Sequence, residues 1–202
     1  MKGDPEQEYR KLKSGVLLVE VSDHLRVRFR GPEVRLENAW WGNYGGRDLV
    51  VSPDERYLAV SIYSGQSTQG YELFQLSPEL KHVGGLPDTG GEGTEPCFSP
   101  DSKWLALVLS AVGERWRDEA KTVLDWAMLY LRPLPDGPRI ERAIGTPVPR
   151  SFDRDELAEW NLFDRVRWAS PTTLELTLPW DERMTISLPI EGPITTPPFT
   201  PD

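Results

Sequence analysis

The stretch Ser52–Val60, SPDERYLAV, returns as Ser99–Leu107, SPDSKWLAL, and this internal repeat decides the fold of the chain. The two copies lie 47 residues apart, a spacing typical of stacked supersecondary units. In each copy, apolar residues precede Ser-Pro-Asp and an aromatic-Leu-Ala run follows it. Proline presets φ for the first corner of a type I turn, and short Ser and Asp side chains bond the next backbone N–H groups. Each copy therefore predicts a β-hairpin.

Further strands follow each repeated hairpin. Tyr71–Leu76 and Leu80–Val83 are separated by a Ser-Pro-Glu turn and predict a second hairpin. Their counterparts after the second copy are Trp126–Leu131 and Arg139–Arg142, separated by Pro-Asp-Gly. Each unit thus has four short strands, and weaker strand patterns flank the two units at Val16–Val21, Leu25–Phe29, Val34–Leu36, Leu174–Leu178 and Met184–Leu188.

This arrangement predicts an all-β fold, a small or incomplete β-propeller. It would have about four units, each of three to four antiparallel strands. Helical spacing of apolar residues over Glu114–Val123, and a capping serine with early acids over Ser151–Trp160, predict one or two short helical insertions. Residues 1–190 are expected to form a single domain, and the proline-rich residues 191–202 an extended or disordered tail.

The second copy also resembles a known family of repeats. Phe98–Ala106, FSPDSKWLA, is similar to the repeat of TolB-like and WD-repeat-like bacterial propellers, an aromatic residue and Ser-Pro-Asp-Gly-Lys before Leu-Ala. The resemblance covers about residues 47–143. Glu55 and Ser102 replace the glycine, and the Trp-Asp ending of true WD repeats and its His partner are missing. The resemblance implies a propeller fold but no particular chemistry, because propellers include enzymes, scaffolds and ligand binders.

Composition narrows the class of protein. The chain has 202 residues, a net charge of −9 and one cysteine, Cys97, which excludes an internal disulfide. Cys97 is expected to be a buried apolar residue of a strand. An acidic protein is a poor partner for nucleic acid, so none is predicted. No apolar run reaches membrane-spanning length and the first residues lack the apolar region of a signal peptide, so we expect a cytoplasmic protein without membrane contact.

Long irregular segments mark the expected functional face. In an antiparallel four-stranded unit, tight turns lie at one end of the strands and the long connections lie at the other. Loops on a rigid scaffold often carry binding residues. We therefore place the functional face on the side of the long segments, which are Asn38–Gly46, Tyr63–Gly70, Gly84–Glu95, Ser110–Asp125 and Gly145–Asp164.

One of these segments is unusually aromatic. Trp40, Trp41, Asn43, Tyr44 and Arg47 stand among glycines that allow unusual backbone angles. They are the candidate binding residues, forming an aromatic platform for a peptide, a sugar or a protein side chain. The alternative is that the tryptophans fill a central channel or the contact with the adjacent unit.

A second pattern concerns charge. Arg26, Arg28 and Arg30 alternate with apolar residues, which puts three guanidinium groups on one strand face. The stripe could meet an anionic partner. The alternative is a face neutralised by the neighbouring acids Glu20, Glu33 and Glu37.

Catalytic and metal-binding signatures are missing from the sequence. His24 and His82 lie far apart, and one cysteine allows no Cys/His zinc spacing. Nucleophile-elbow, phosphate-loop and dinucleotide patterns are also missing. We therefore nominate no catalytic residue, metal or cofactor. The carboxylates that could reach the loop face are Asp88, Glu92, Glu95, Asp118, Glu119 and Asp153.

These observations favour a non-catalytic module that binds a protein or peptide partner through its loop-rich face. Two alternatives stay open. One is a glycosidase- or peptidase-like hydrolase that uses a pair of loop carboxylates. The other is an acidic neutraliser of a basic protein. Exposed sheet edges also offer a route to a homodimer.

Overall fold

The computed structural model describes residues 6–21, 24–37, 49–63, 69–86, 94–110, 123–147, 166–178 and 183–196. Within these ranges all regular structure is β, and the predicted all-β class is confirmed. No helix occurs in them. The segments predicted to be helical lie outside the described residues, apart from Val123, which belongs to a strand.

The chain divides into two compact units, Met1–Thr89 and Gly90–Asp202. The first unit contains two four-stranded antiparallel sheets whose neighbouring strands follow chain order. The first sheet consists of β1 (Glu6–Leu12), β2 (Gly15–Val21), β3 (His24–Phe29) and β4 (Glu33–Glu37). The second sheet consists of β5 (Leu49–Val51), β6 (Tyr57–Tyr63), β7 (Gln69–Gln75) and β8 (Lys81–Leu86).

The second unit contains a five-stranded and a three-stranded sheet. The third sheet consists of β9 (Cys97–Phe98), β10 (Trp104–Ser110), β11 (Val123–Pro133), β12 (Ile140–Pro147) and β16 (Ile194–Thr195). The fourth sheet consists of β13 (Val166–Ser170), β14 (Thr173–Thr177) and β15 (Arg183–Ser187). In the third sheet β16 lies outside β12 and pairs with it in parallel, with Ile144 opposite Ile194. Part of the segment predicted as a tail is therefore paired.

The two copies of the sequence repeat have the same strand pairing. Val50 lies opposite Ala59 in β5–β6, and Cys97 lies opposite Ala106 in β9–β10. The register of the two hairpins is thus the same after a shift of 47 residues. The first sheet differs from the prediction, because β1 adds a fourth strand where the sequence suggests three.

The serine that opens each turn organises it. Ser99 Oγ donates to Asp101 Oδ1 at 2.7 Å and accepts the backbone N–H of Trp104 at 3.0 Å. Ser52 Oγ likewise donates to Asp54 Oδ1 at 2.7 Å and accepts the backbone N–H of Tyr57 at 2.9 Å. Both serine side chains are buried, and their hydroxyls satisfy backbone N–H groups at the start of the following strand.

Each unit has its own hydrophobic core. In the first unit, alternating residues of β2 and β3 pack with residues of β5, β6 and β7; the buried members include Leu17, Val19, Val27, Phe29, Leu58, Val60 and Phe74. In the second unit, residues of β10, β11 and β12 pack with residues of β14 and β15; they include Val108, Leu129, Ile144, Leu174, Leu176 and Ile186. Trp168 joins this core and donates its indole N–H to the carbonyl of Cys97 at 3.0 Å.

Candidate functional site

The two longest connections of the first unit, residues 38–48 and the segment that follows β8, start from the same end of its sheets. The Glu55 carboxylate, in the β5–β6 turn, accepts the backbone N–H groups of Lys13 at 3.0 Å and Ser14 at 2.9 Å, in the β1–β2 turn. The tight-turn ends of the first and second sheets therefore lie side by side. Because the strands of each sheet alternate in direction, the segments 38–48, 64–68 and 87–93 start from the opposite ends of these sheets.

The candidate binding residues belong to the first of these segments. Trp40, Trp41, Asn43, Tyr44 and Arg47 all lie outside the described residues. The strands on either side of the segment are described. β4 ends at Glu37 and β5 begins at Leu49, and both of these residues lie at the same end of the first unit.

The point at which the aromatic segment enters β5 is held by an arginine. Arg10 of β1 donates from its guanidinium to the carbonyl of Leu49 at 2.6 Å. The same side chain lies 3.4 Å from the Glu8 carboxylate. A guanidinium bond to a carbonyl is charge-assisted and stronger than a neutral one. Arg10 thus ties β1 to the residue directly after the candidate binding segment.

A buried polar cluster lies at the same end of the first sheet, on the face opposite the core. Glu20 near the end of β2 and His24 at the start of β3 are 7% and 6% exposed. The His24 Nε2 atom lies 3.4 Å from Glu20 Oε1. Gln7 donates its amide to Glu20 Oε2 at 3.0 Å, and Arg26 approaches the same oxygen at 3.5 Å. Burying a carboxylate is costly unless partners of this kind surround it.

Sequence reasoning did not nominate this cluster. The signal that could have found it is Glu20 itself, an acid inside the apolar run of β2. His24 follows three residues after the end of that strand, and the β2–β3 hairpin brings Glu20 opposite Arg26. Alternation then puts all three side chains on one face of the sheet.

The arginine stripe is largely neutralised within its own sheet. Arg28 forms two bonds to Glu33 Oε2, at 2.7 and 3.2 Å, and Arg26 lies 3.5 Å from Glu33 Oε1 and from Glu20. Arg30 donates to the carbonyl of Ser14 and lies over the Phe29 ring. Glu20 and Glu33 therefore neutralise the stripe, as the second of the two interpretations of the sequence predicts. Glu37, the third acid named there, pairs with Arg35 instead.

A second histidine–glutamate pair occurs in the second sheet. His82 Nε2 and Glu72 Oε2 are 2.5 Å apart, and the His82 ring lies 5.3 Å from the Phe74 ring. A Cβ atom at Gly85 would come within 2.1 Å of the Tyr71 carbonyl oxygen and 2.7 Å of Glu72 Oε2. The Glu72 carboxylate and the Tyr71 carbonyl therefore lie directly against the backbone of Gly85. A residue with a Cβ atom would collide with them, which explains the glycine at position 85.

The single cysteine of the chain, Cys97, lies in β9. Cys97 is partly buried, and burial raises the pKa of its thiol from 9.0 to about 12, against a smaller lowering by hydrogen bonding to Trp168. Among the loop carboxylates considered for hydrolysis, Glu95 lies in a described range and the other five do not. The described residues contain no group of three or more His, Cys, Asp or Glu side chains that could hold a metal ion.

Comparison with known proteins leaves the motif resemblance untested. No protein-family model matches the chain, and no curated protein matches it. In the part of the chain that the structure describes, no helix has the length and apolarity needed to cross a membrane.

Proposed function

We propose that this protein is a non-catalytic interaction module that binds a protein or peptide. The binding surface would be the end of the first unit from which the long connections start, with Trp40, Trp41, Asn43, Tyr44 and Arg47 as the contact residues. Apolar burial around the three aromatic side chains would supply most of the affinity, and polar groups around them would set the orientation of the partner.

The observation that carries the proposal is the bond between Glu55 and the Lys13–Ser14 backbone. It aligns the tight-turn ends of two sheets, so the two longest connections of the unit, residues 38–48 and the segment that follows β8, start from the opposite ends. A rigid β scaffold with connections collected at one end is the usual arrangement for loop-borne binding sites.

Two further features support the same end. Arg10 fixes the carbonyl of Leu49, directly after the aromatic segment. The buried Glu20 cluster lies near the end of β2, beside the start of β3. Both hold the base of the proposed surface in a defined geometry, which reduces the conformational entropy lost on binding.

The test uses a displayed library of random peptides selected against the wild-type protein. The selected peptides are then measured against a Trp40→Ala/Trp41→Ala double variant and against Tyr9→Ala, a control at an exposed aromatic residue of β1. We expect the double variant to bind at least about tenfold more weakly and the control to bind as the wild type does.

Near-ultraviolet circular dichroism and thermal unfolding accompany each variant. Unfolding of the double variant would identify the tryptophans as core residues and count against the proposal. Equal binding by the folded double variant would also overturn it. Weak binding by the Tyr9→Ala control instead would move the site to the outer face of the first sheet.

We also propose that the four sheets are the blades of a small TolB-like or WD-repeat-like propeller. The support is the matching register of the two repeated hairpins and the meander order of the strands. A crystal structure with the four sheets arranged around one axis would establish this fold. A continuous sandwich would exclude it.

The setting that we propose is the cytoplasm, with neither nucleic acid nor a membrane as partner. The net charge of −9 supports the absence of nucleic acid and membrane partners, because anionic polymers and surfaces repel such a protein. A fluorescent fusion in the native cell, and a gel-shift titration with mixed DNA, would test the two parts. Membrane-bound fluorescence or a salt-dependent shift would contradict them.

A further inference from the structure

The fourth sheet has fewer strands than the others in the described part of the chain. The first and second sheets have four strands each and the third has five, whereas the fourth has three. After β15 the chain leaves the sheet at Leu188, and β16 pairs with β12 of the third sheet. Among the described residues, no strand pairs with the outer edge of β15.

The hydrogen bonding shows which backbone groups face that edge. The N–H of Leu188 donates to the carbonyl of Thr172 at 2.8 Å. In an antiparallel pair, bonded and non-bonded positions alternate, so Met184 and Ile186 also direct their N–H and C=O groups towards β14. Arg183, Thr185 and Ser187 therefore direct theirs outward, and all three residues are exposed.

Three other strands, β4, β8 and β12, are less suited than β15 to pairing with a second copy. The edge of β12 is already occupied by β16. β8 carries a register irregularity opposite Leu73 and Phe74, which interrupts its edge. A copy of β4 laid antiparallel on β4, in the register that pairs all five residues, would set Arg35 against Arg35 and Glu33 against Glu37, and like charges directly opposite are destabilising.

The same operation on β15 meets no such repulsion. In the register that pairs all five residues, Thr185 faces Thr185 of the second copy and Arg183 faces Ser187. Met184 faces Ile186, on the side of the sheet that joins the hydrophobic core. The edge is thus complementary to itself in both charge and polarity.

We propose that β15 is a self-association edge, at which a second copy of this chain pairs antiparallel about a two-fold axis through Thr185. The result is a continuous six-stranded sheet shared by two copies. The proposal does not depend on the peptide-binding function at the other unit, because it uses only residues of the fourth sheet.

The first test measures mass in solution by sedimentation equilibrium over a concentration series. The wild type is expected at twice the chain mass of 22.9 kDa. Thr185→Lys places two ammonium groups face to face on the axis, and Thr185→Pro removes an N–H that the sheet itself does not use. Both variants are expected at the single chain mass, while the matched control Thr195→Lys, at an exposed threonine of β16, stays at twice that mass.

The second test measures the register. Directly opposed residues of a hydrogen-bonded pair have Cα atoms about 5.5 Å apart, within the range that a disulfide spans. Thr185→Cys should form a disulfide-linked dimer on mild oxidation. Ser187→Cys should not, because its two copies lie about 13 Å apart along the strands. Cys97 adds little background, because its thiol pKa is raised to about 12.

A wild type that remains at the single chain mass across the series overturns the proposal. So does a dimer that persists in folded Thr185→Lys and Thr185→Pro, since another surface would then carry it. Equal cross-linking of Thr185→Cys and Ser187→Cys would overturn the two-fold register. Near-ultraviolet circular dichroism separates loss of the dimer from loss of the fold.

Discussion

Glu55 and Ser102 occupy the same position in two turns 47 residues apart, and both have left-handed backbone, with φ angles of 57° and 59°. Non-glycine residues rarely adopt this conformation, because the Cβ atom meets the neighbouring carbonyl oxygen. Both turns therefore hold a side chain in a conformation that glycine adopts without strain.

The cost of the left-handed backbone can be measured at Ser102. Ser102→Ala removes the hydroxyl and keeps the Cβ atom, whereas Ser102→Gly removes both. We expect the glycine variant to exceed the alanine variant in free energy of unfolding by about 0.5–1 kcal/mol. Urea denaturation gives both values. An alanine variant as stable as the glycine variant would show that the turn stores no strain at this residue.

At Glu55 the side chain bonds the backbone of the β1–β2 turn, and this bond makes its contribution to stability depend on pH. Hydrogen bonding by Ser14, followed by that of the Lys13 backbone, lowers the pKa of the Glu55 carboxyl below 4.5. A lowered pKa stabilises the fold above the unfolded-state value of about 4.3 and loses that stabilisation as pH falls through the folded-state value. We expect Glu55→Gln to lower the melting temperature at neutral pH, and the difference from wild type to shrink below about pH 4.

The control for this measurement is Glu191→Gln, at an exposed glutamate. It should follow the wild-type curve throughout. A Glu55→Gln variant that differs from wild type equally at pH 7 and pH 3 would mean that the carboxylate charge does not contribute to the bond between the two turns.

The buried Glu20 cluster and the exposed Arg28–Glu33 pair lie on the same face of the first sheet and should differ in energetic weight. Glu20→Ala removes a buried carboxylate that accepts from Gln7 and contacts Arg26, so we expect a loss of about 1–3 kcal/mol in the free energy of unfolding. Arg28→Ala removes a pair whose arginine side chain is half exposed and should cost less than about 1 kcal/mol. Similar losses for the two variants in urea would contradict the contrast.

The thiol of Cys97 should be unreactive in the folded protein. With its pKa raised from 9.0 to about 12, the thiolate fraction at pH 8 falls by roughly a thousandfold. We expect slow reaction with a thiol-exchange dye in buffer and rapid reaction of one thiol per chain in denaturant. Rapid labelling of the folded protein would show that the β9 strand opens readily.

The sequence was most informative where local chemistry fixes the backbone. Ser-Pro-Asp predicted both hairpins, and the identical registers at Ala59 and Ala106 confirm their equivalence. β1 was missed because its residues, EQEYRKL, show no apolar alternation and its order depends on pairing with β2. The pairing of β16 with β12 was also beyond prediction, because it depends on where Ile194 meets Ile144 rather than on either segment alone.

The candidate site was predicted less completely than the fold. The position of the long connections follows from strand order, so it could be inferred from the hairpins. The contacts of Arg10 with Leu49 and of Glu20 with His24 join residues on different strands or across a hairpin. Such contacts follow from register and side-chain reach, which single-sequence patterns do not encode. The role of Trp40 and Trp41 stays a prediction.

The parallel pairing of β16 with β12 has a topological consequence for how the second unit opens. The polypeptide leaves the third sheet after β12, builds the whole of the fourth sheet, and returns to bond at Ile144 and Gly145. The strand before the fourth sheet, β12, is therefore paired with the strand after it, β16. Unfolding from the carboxyl terminus would break the β12–β16 pairing before it separates β15 and β14. We therefore expect the amide of Thr196 to exchange with solvent earlier than the amides of β14 and β15.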